Sequence, residues 1–390
     1  MRYSKMFTIV LSFLVLLAIT GCQNWPQFRY GPEHTGYNDV EFRLNKSNVS
    51  ALKLYYSAQV TGYGGPAVSG VVLYMGSDDA HHTLSAFSEL DLSFLWSVSV
   101  GSRVSDTPAV CSTCTAHGLV FFGSWDKKVY AVDIQTHQIV WSYLTGNIIT
   151  SSPTVANGNV YIGSEDQYLY GFVAATGQPL TGFPVKTNGP IFSTPAVAGN
   201  NVYVESWDYN LYAFNASTGG LPLWKVNIIG LDSSPSIDVV HGVVYAGGNR
   251  YLWAFDTSGN LLWKAPVLDQ YGADSSSPAV ANGLVYITST SPLGNGHIYA
   301  FDTTNNGSAV WSRALPLPGD VTVANGVVYV GSGGSNTTHS HIYALNAMTG
   351  ATLWTSPNNI NVGGQEYSNV TVVNSVVYGV GGGHVYEFGL

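Results

Sequence analysis

Short apolar runs separated by polar turns recur along most of this chain, always in the same order. A proline or valine opens a small apolar run, as in Pro278-Ala279-Val280. A turn with Asn or Gly follows, then an apolar-aromatic run such as Val160-Tyr161-Ile162, Val202-Tyr203-Val204 or Val328-Tyr329-Val330. Short runs rich in β-branched and aromatic residues predict strands. A polar turn of the Gly163-Ser164-Glu165-Asp166 kind leads to a third run, as in Leu169 to Phe172 or Leu211 to Phe214. A Thr-Gly turn, as at Thr349-Gly350, then leads to a fourth run that carries tryptophan. Each unit therefore predicts four antiparallel strands joined by short hairpins.

The unit occurs eight times. Its opening positions are Pro66, Pro108, Pro153, Pro195, Pro235, Pro278, Val321 and Val370, with spacings from 40 residues (Pro195 to Pro235) to 49 (Val321 to Val370). A period of this size with four strands per unit predicts an all-β fold, an eight-bladed β-propeller of four-stranded antiparallel blades over residues 51–390. The last unit, Val370 to Leu390, has room for only three strands. The orphan run from Leu52 to Val60, with Tyr55 and Tyr56 near the place where other units have Trp, is predicted to supply the fourth and close the ring. Closure of this kind protects the terminal sheet edges. Seven blades is the alternative, should the divergent eighth unit be a tail.

The amino terminus has a different pattern. Arg2 and Lys5 precede an apolar run, Phe7 to Ile19, that is short for a membrane span and ends in Ile19-Thr20-Gly21-Cys22. Small residues before a cysteine at the end of such a run resemble the bacterial lipobox. That resemblance implies a lipoprotein signal peptide at residues 1–21, lipid on Cys22, and a lipid-attached tether and leading segment at 22–50. The protein would then be extracytoplasmic and held to a bacterial membrane by lipid alone. An ordinary signal peptide with a cysteine nearby is the alternative. Cys111 and Cys114 lie in an enlarged first turn of the second unit. Outside the cytoplasm that spacing favours a local disulfide, with free thiols or a redox or metal role as alternatives.

Composition narrows the partners. Charged residues make up 9% of the chain, the net charge is −9, and there are only 14 Lys and Arg. This argues against nucleic acid or an anionic lipid surface as the principal partner.

The segment from the third run to the tryptophan reads Ala131-Val132-Asp133-Ile134-Gln135-Thr136 to Trp141, and similarly Ala213 to Trp224 and Ala344 to Trp354. It resembles the tryptophan-docking motif of the pyrroloquinoline quinone (PQQ) propellers. Looser copies run from Ala86 to Trp96, Ala254 to Trp263 and Ala300 to Trp311, whereas the third unit has Gly171 and no Trp. The opening Trp25 to Gly36 stretch is also similar to the leading segment of these proteins. The resemblance implies a structural role for Trp96, Trp141, Trp224, Trp263, Trp311 and Trp354, each ring packing between blades.

Two families share this repeat. Quinoprotein dehydrogenases bind PQQ and Ca²⁺ in the propeller channel. The β-propeller lipoproteins of the outer-membrane barrel-assembly machinery (BamB-like) bind no cofactor and dock proteins. The bare blades, the absence of adjacent cysteines and the lipobox look more like the second family. The expectation is a non-catalytic scaffold that binds envelope proteins, without a cofactor or metal. The alternatives are a PQQ- and Ca²⁺-dependent dehydrogenase and a carbohydrate-binding envelope protein that stacks sugars on exposed Tyr and Trp.

Acids gather in the turns of one predicted face. Asp106, Asp232, Asp274, Asp320 and Glu366 precede inner strands and are expected to ring the channel mouth. Asp78, Asp79, Asp126, Glu165, Asp166 and Asp208 lie in the turn after the second strand. They could dock a basic partner or ligate Ca²⁺, with Asp106, Asp274 and Asp320 as the metal candidates. Equally, Asp suits turns for backbone reasons alone. Arg103 and Arg250 are the arginines expected near the mouth. Turn histidines at His81, His82, His297, His339 and His341 offer weak zinc ligands.

Overall fold

The computed structural model describes residues 23–60, 62, 64–77, 81–267, 269, 276–290, 294–333, 340–358 and 370–390. Cys22, Asp78, Asp79, Asp274, His339 and Glu366 lie outside them. The chain forms eight sheets of four antiparallel strands, one of which gains the two-residue strand Tyr37–Asn38 in parallel on its inner edge. Blade 1 contains Ala67–Ser69, Val72–Gly76, Thr83–Ser88 and Phe94–Ser99, from the axis outward. Blades 2 to 7 begin at inner strands Ala109–Cys111, Thr154–Ala156, Ala196–Ala198, Ser236–Asp238, Ala279–Ala281 and Pro318–Ala324. Successive inner strands lie against each other around the axis. A single 3-10 turn, Val49–Ala51, is the helical content of the described residues.

Blade 8 settles the blade count at eight. Its own strands are Val370–Val373, Val376–Gly381 and His384–Gly389, and Lys53–Gln59 pairs with the last of these as the outer strand. Tyr56 sits opposite Glu387, where the tryptophans of other blades face alanine: Trp96 opposite Ala86, Trp224 opposite Ala213, Trp354 opposite Ala344. The predicted closing strand therefore has the expected register.

The core lies between blades. The second strand of each blade places one large ring at the same register: Tyr74, Phe121, Tyr161, Tyr203, Tyr245, Tyr286, Tyr329 and Tyr378, all fully buried. The hydroxyl of Tyr161 donates to the Ala216 carbonyl of the next blade (2.8 Å), and that of Tyr286 to Ala347 (3.1 Å). A blade that hides its polar tip in its neighbour satisfies a buried donor and buries a large apolar face at once.

The docking tryptophans use the same neighbouring turns. The indole N–H of Trp141 donates to Ala174, that of Trp224 to Thr257 and that of Trp311 to Ala347, each at 2.9 Å. Trp354 donates to Leu52, just ahead of the closing strand. A left-handed glycine in the next blade lies flat against the ring; at Gly177 (φ +71°) an added Cβ would come within 2.5 Å of Trp141. Blade 2 has His137 at this position, also left-handed, and its ring stacks on Trp96 at 4.5 Å. Blade 3 lacks the tryptophan and has an outer strand of only two residues, Val185–Lys186. Phe183 and Leu180 pack instead over Gly171, whose missing side chain makes room for them.

Two predictions follow from this packing. Gly177→Ala forces a Cβ into the Trp141 ring at a backbone angle that disfavours side chains, and should cost about 2 kcal/mol in urea unfolding. A midpoint equal to wild type would show that the ring moves aside freely. The second concerns the seam between blades 8 and 1, where Glu387 is buried. Burial first, then the charges of Glu89 and Asp91, push its pKa up to about 7 from 4.5. The folded chain thus holds this proton more tightly than the unfolded chain. The resulting stability is complete below about pH 4.5 and is lost as pH rises through about 7. The Tm should fall between pH 5 and 8, and Glu387→Gln should flatten that slope; an unchanged slope in the variant removes Glu387 as its cause.

Candidate functional site on the propeller axis

An inner strand at the axis has one paired edge and one open edge, and its open N–H groups need acceptors. Residues 25–38 supply them, one blade after another. Val68 N–H donates to the Trp25 carbonyl (2.8 Å), Val110 to Pro26 (2.7 Å) and Val155 to the Gln27 side-chain oxygen (2.7 Å). Val197 donates to Pro32, Ile237 to Glu33, Val280 to Thr35 and Val323 to Gly36, at 2.7 to 2.9 Å. In blade 8 the direction reverses, and the Asn38 amide donates to the Val372 carbonyl (2.8 Å). The segment expected as tether and leading piece is thus folded into the axis from its first described residues. It touches all eight inner strands, always at the second residue or its equivalent.

Tight coiling makes this possible. Arg29, Tyr30, His34 and Gly36 all have left-handed backbone angles. At Gly36 a Cβ would lie 2.6 Å from the Arg29 guanidinium and 3.0 Å from the Val321 carbonyl, so only glycine fits.

The coil brings a cation and an acid together. Arg29 is buried, donates to the Pro278 carbonyl (2.6 Å) and lies 3.6 Å from Asp320. Asp320 also accepts from Ser277 N–H (2.8 Å). Burial outweighs attraction at both ends of the pair: it pulls the Arg29 pKa down and pushes the Asp320 carboxyl up. The guanidinium nevertheless remains charged. His34 lies beside them, fully buried, with Nε2 3.0 Å from the Thr154 hydroxyl. Burial, then the nearby Arg29 charge, lower its pKa to about 3, so the ring is neutral at any physiological pH. Trp25, Phe28, Arg29, Pro66, Thr107, Asp320, Thr322 and Thr371 help to line a cavity of about 20 Å³, room for roughly one water.

The predicted mouth acids do not act as one group. Asp320 is engaged by Arg29. Asp106 has one buried oxygen without a hydrogen bond, and burial, then the Glu165 charge, raise its pKa well above the usual range. Asp232 sits farther out and accepts from the Trp207 indole at 2.6 Å. The described turn aspartates are committed to local structure. Asp126 and Asp166 each accept from two backbone N–H groups and from Tyr130 or Tyr170, and Asp208 accepts from Asn210 N–H and the Tyr212 hydroxyl. Among the described residues no three His, Cys, Asp or Glu come together to hold a metal. Of the three acids proposed as Ca²⁺ ligands, Asp320 is taken up by Arg29 and Ser277, Asp106 is buried, and Asp274 lies outside the described residues.

The other singled-out residues have plain positions. Cys111 and Cys114 are joined by a disulfide across the enlarged hairpin of blade 2. Arg103 lies over the Trp125 ring at 4.9 Å, on the face of the turn acids. His297 pairs with Asp269 at 2.9 Å. Nothing in the repeat marks Arg29 and His34 as site residues, because they lie outside it. Their only signal was that the Trp25 to Gly36 stretch looked like a distinct leading segment.

Comparison with known proteins gives a consistent picture. A sequence profile of the family described as outer membrane protein assembly factor BamB matches residues 80–180, 126–356 and 294–388. The outer membrane protein assembly factor BamB of Yersinia pestis is 25% identical over 316 residues, which cover 74% of this chain and 77% of that protein. The crystal structure of BamB from Moraxella catarrhalis superposes with a TM-score of 0.68 at 15% identity, covering 87% of this chain and 98% of that one. The quinohemoprotein alcohol dehydrogenase of Comamonas testosteroni superposes with a TM-score of 0.73 at 17% identity, covering 94% and 80%. At such identities the two structural likenesses speak to the fold alone.

The buried pair yields a prediction. Arg29→Met leaves the Asp320 carboxylate buried without its cation and should cost about 3–5 kcal/mol of stability. Adding Asp320→Asn should recover most of that loss in a double-mutant cycle. Additive losses in denaturant unfolding would mean that Arg29 holds the axis through Pro278 alone.

Proposed function

This chain belongs to the family described as outer membrane protein assembly factor BamB, and we propose that it is a non-catalytic, protein-binding scaffold of the bacterial cell envelope. In this reading residues 1–21 are a lipoprotein signal peptide and Cys22 carries lipid. The partners are envelope proteins, with outer-membrane protein assembly as the specific form. The observation that carries the reading is the filled axis. Where a channel ligand would sit, the described chain places its own backbone from Trp25 to Asn38 and the Arg29–Asp320 pair. Binding is then left to the turns and outer edges of the blades.

One edge stands out for this purpose. The outer strand of blade 4, Gly219–Asn227, is nine residues long and exposes Leu221 (88%) and Leu223 (53%). It stands beside blade 3, whose outer strand is reduced to Val185–Lys186. A long outer strand with exposed leucines offers backbone groups and apolar anchors to an extended strand of a partner. Bare outer edges invite indiscriminate pairing, so the short, charged neighbour also limits which strands can approach.

Two measurements test the reading. Intact mass of the mature amino terminus should show an acylated Cys22; an unmodified peptide beginning elsewhere ends the lipoprotein part. Mild crosslinking of the membrane-bound protein should recover an envelope protein, and Leu221→Asp with Leu223→Asp should reduce that recovery roughly tenfold while the fold is kept. Undiminished recovery moves the partner to another surface. Stoichiometric PQQ binding with dye reduction by an alcohol or sugar would overturn the scaffold reading altogether.

A further inference from the structure

The first described residue, Gln23, is already locked into the fold. Its N–H donates to the Asn374 side chain (2.7 Å), and its own side-chain amide donates to the Val40 carbonyl (2.8 Å). Asn24 accepts from Gly70 N–H (2.9 Å). Asn374 also donates to Glu89 (2.6 Å). These bonds gather the first turn of blade 8, the first and third turns of blade 1 and the chain just after the axial coil. All of these turns lie on the face opposite the mouth acids, because each inner strand runs from one face to the other.

The same bonds gather the segments of Val40, Val71 and Leu90, with Phe42 two residues beyond Val40 and held through its carbonyl by Asn325; all four side chains are exposed among the described residues. Val40 is 47% exposed, Phe42 68%, Val71 49% and Leu90 69%. Val40 accepts the Gln23 bond itself, Val71 follows the glycine held by Asn24, and Leu90 follows the glutamate held by Asn374. They form a collar around Gln23, the first described residue. Arg43 lies over the Phe42 ring at 5.7 Å, and Lys46 is beside Gly326. The carboxylates of Glu41 and Glu89 turn inward, to Arg43 and Leu44 N–H and to Asn374. Asp39 and Asp91 remain at the rim.

We propose that this collar is a membrane-seating surface: Val40, Phe42, Val71 and Leu90 rest in the lipid interface around the anchored amino terminus. The proposal deepens the reading above and rests on its lipid-bearing Cys22. That residue is one peptide bond, about 3.8 Å between Cα atoms, from Gln23. No slack separates the acyl chains from the folded body, so the face around Gln23 meets the bilayer first. The acyl chains hold the protein to the bilayer, and an apolar contact around them fixes which face is turned to it. The opposite face, with Trp207, Tyr209 and the mouth acids, then looks away from the membrane with one fixed orientation.

The test uses the full lipidated protein in vesicles of phosphatidylethanolamine and phosphatidylglycerol that contain shallow nitroxide lipids. A fluorophore is attached at Phe42→Cys, Leu90→Cys or, as control, Tyr209→Cys. Quenching several-fold stronger at positions 42 and 90 than at 209 is the expected result. Equal quenching at all three overturns the proposal, as does a stable dimer whose interface shields positions 42 and 90. A second arm uses Cys22→Ser protein beginning at residue 22 with excess vesicles. It should still sediment weakly with them, and Phe42→Asp with Leu90→Asp should lower that fraction roughly tenfold. Unacylated Cys22 by mass refutes the anchor alone, and the second arm then decides the collar: loss of sedimentation in the aspartate variant upholds it, and no difference rejects it.

Discussion

Eight short inner strands meet at one axis, and each brings an open edge that water cannot freely reach. That constraint organises the molecule. The chain meets it with its own first folded residues, from Trp25 to Asn38, which visit every blade before any blade is complete. Left-handed turns at Arg29, Tyr30, His34 and Gly36 let a short stretch turn within a narrow circle. The segment closes the axis from within, while the strand Lys53–Gln59, a few residues later, closes the ring from outside. Both closures come from the same stretch, so the amino terminus holds the two ends of the propeller together.

Between blades the dependence runs in one direction. Tyrosine and tryptophan of one blade place their polar tips on a turn of the next, as Tyr286 and Trp311 share the Ala347 carbonyl. A blade alone would leave these rings and donors exposed. Where the pattern lapses, the structure compensates locally. Blade 3 fills the tryptophan site with Phe183 and Leu180 over Gly171, and blade 8 places Tyr56 and the buried Glu387 at the seam with blade 1. Burial at this seam raises the Glu387 pKa.

This construction separates structure from recognition. The axis is occupied by an ion pair, a neutral buried histidine and backbone, an arrangement suited to rigidity. The turn acids brace hairpins through backbone N–H groups and tyrosine hydroxyls. The exposed apolar residues of the long outer strand of blade 4 and of the turns around Gln23 lie at the periphery instead. A propeller of this kind can vary its outer surfaces without disturbing its axis.

The periodic features were legible in the sequence because a repeated environment selects the same residue repeatedly. The four-strand unit, the count of eight, the closing run near Leu52 and the exceptional third unit could all be read by comparing one unit with the next. The axial site could not be read that way. Arg29 belongs to no repeat, and Asp320 looks like any turn acid; only the coiling of residues 25–38 places them 3.6 Å apart. The collar was hidden for the same reason. Val40, Phe42, Val71 and Leu90 are ordinary apolar residues outside the strands, and hydrogen bonds made by Gln23, Asn24, Asn374 and Asn325 hold their segments. Local pattern records what each strand must bury, so the sequence alone determined the four-strand unit and its eight repeats, while the pairing of Lys53–Gln59 with the last strand settled the blade count. Which distant turns meet at the axis and at the exit of the chain depends on ring closure, and only the tertiary structure decided that.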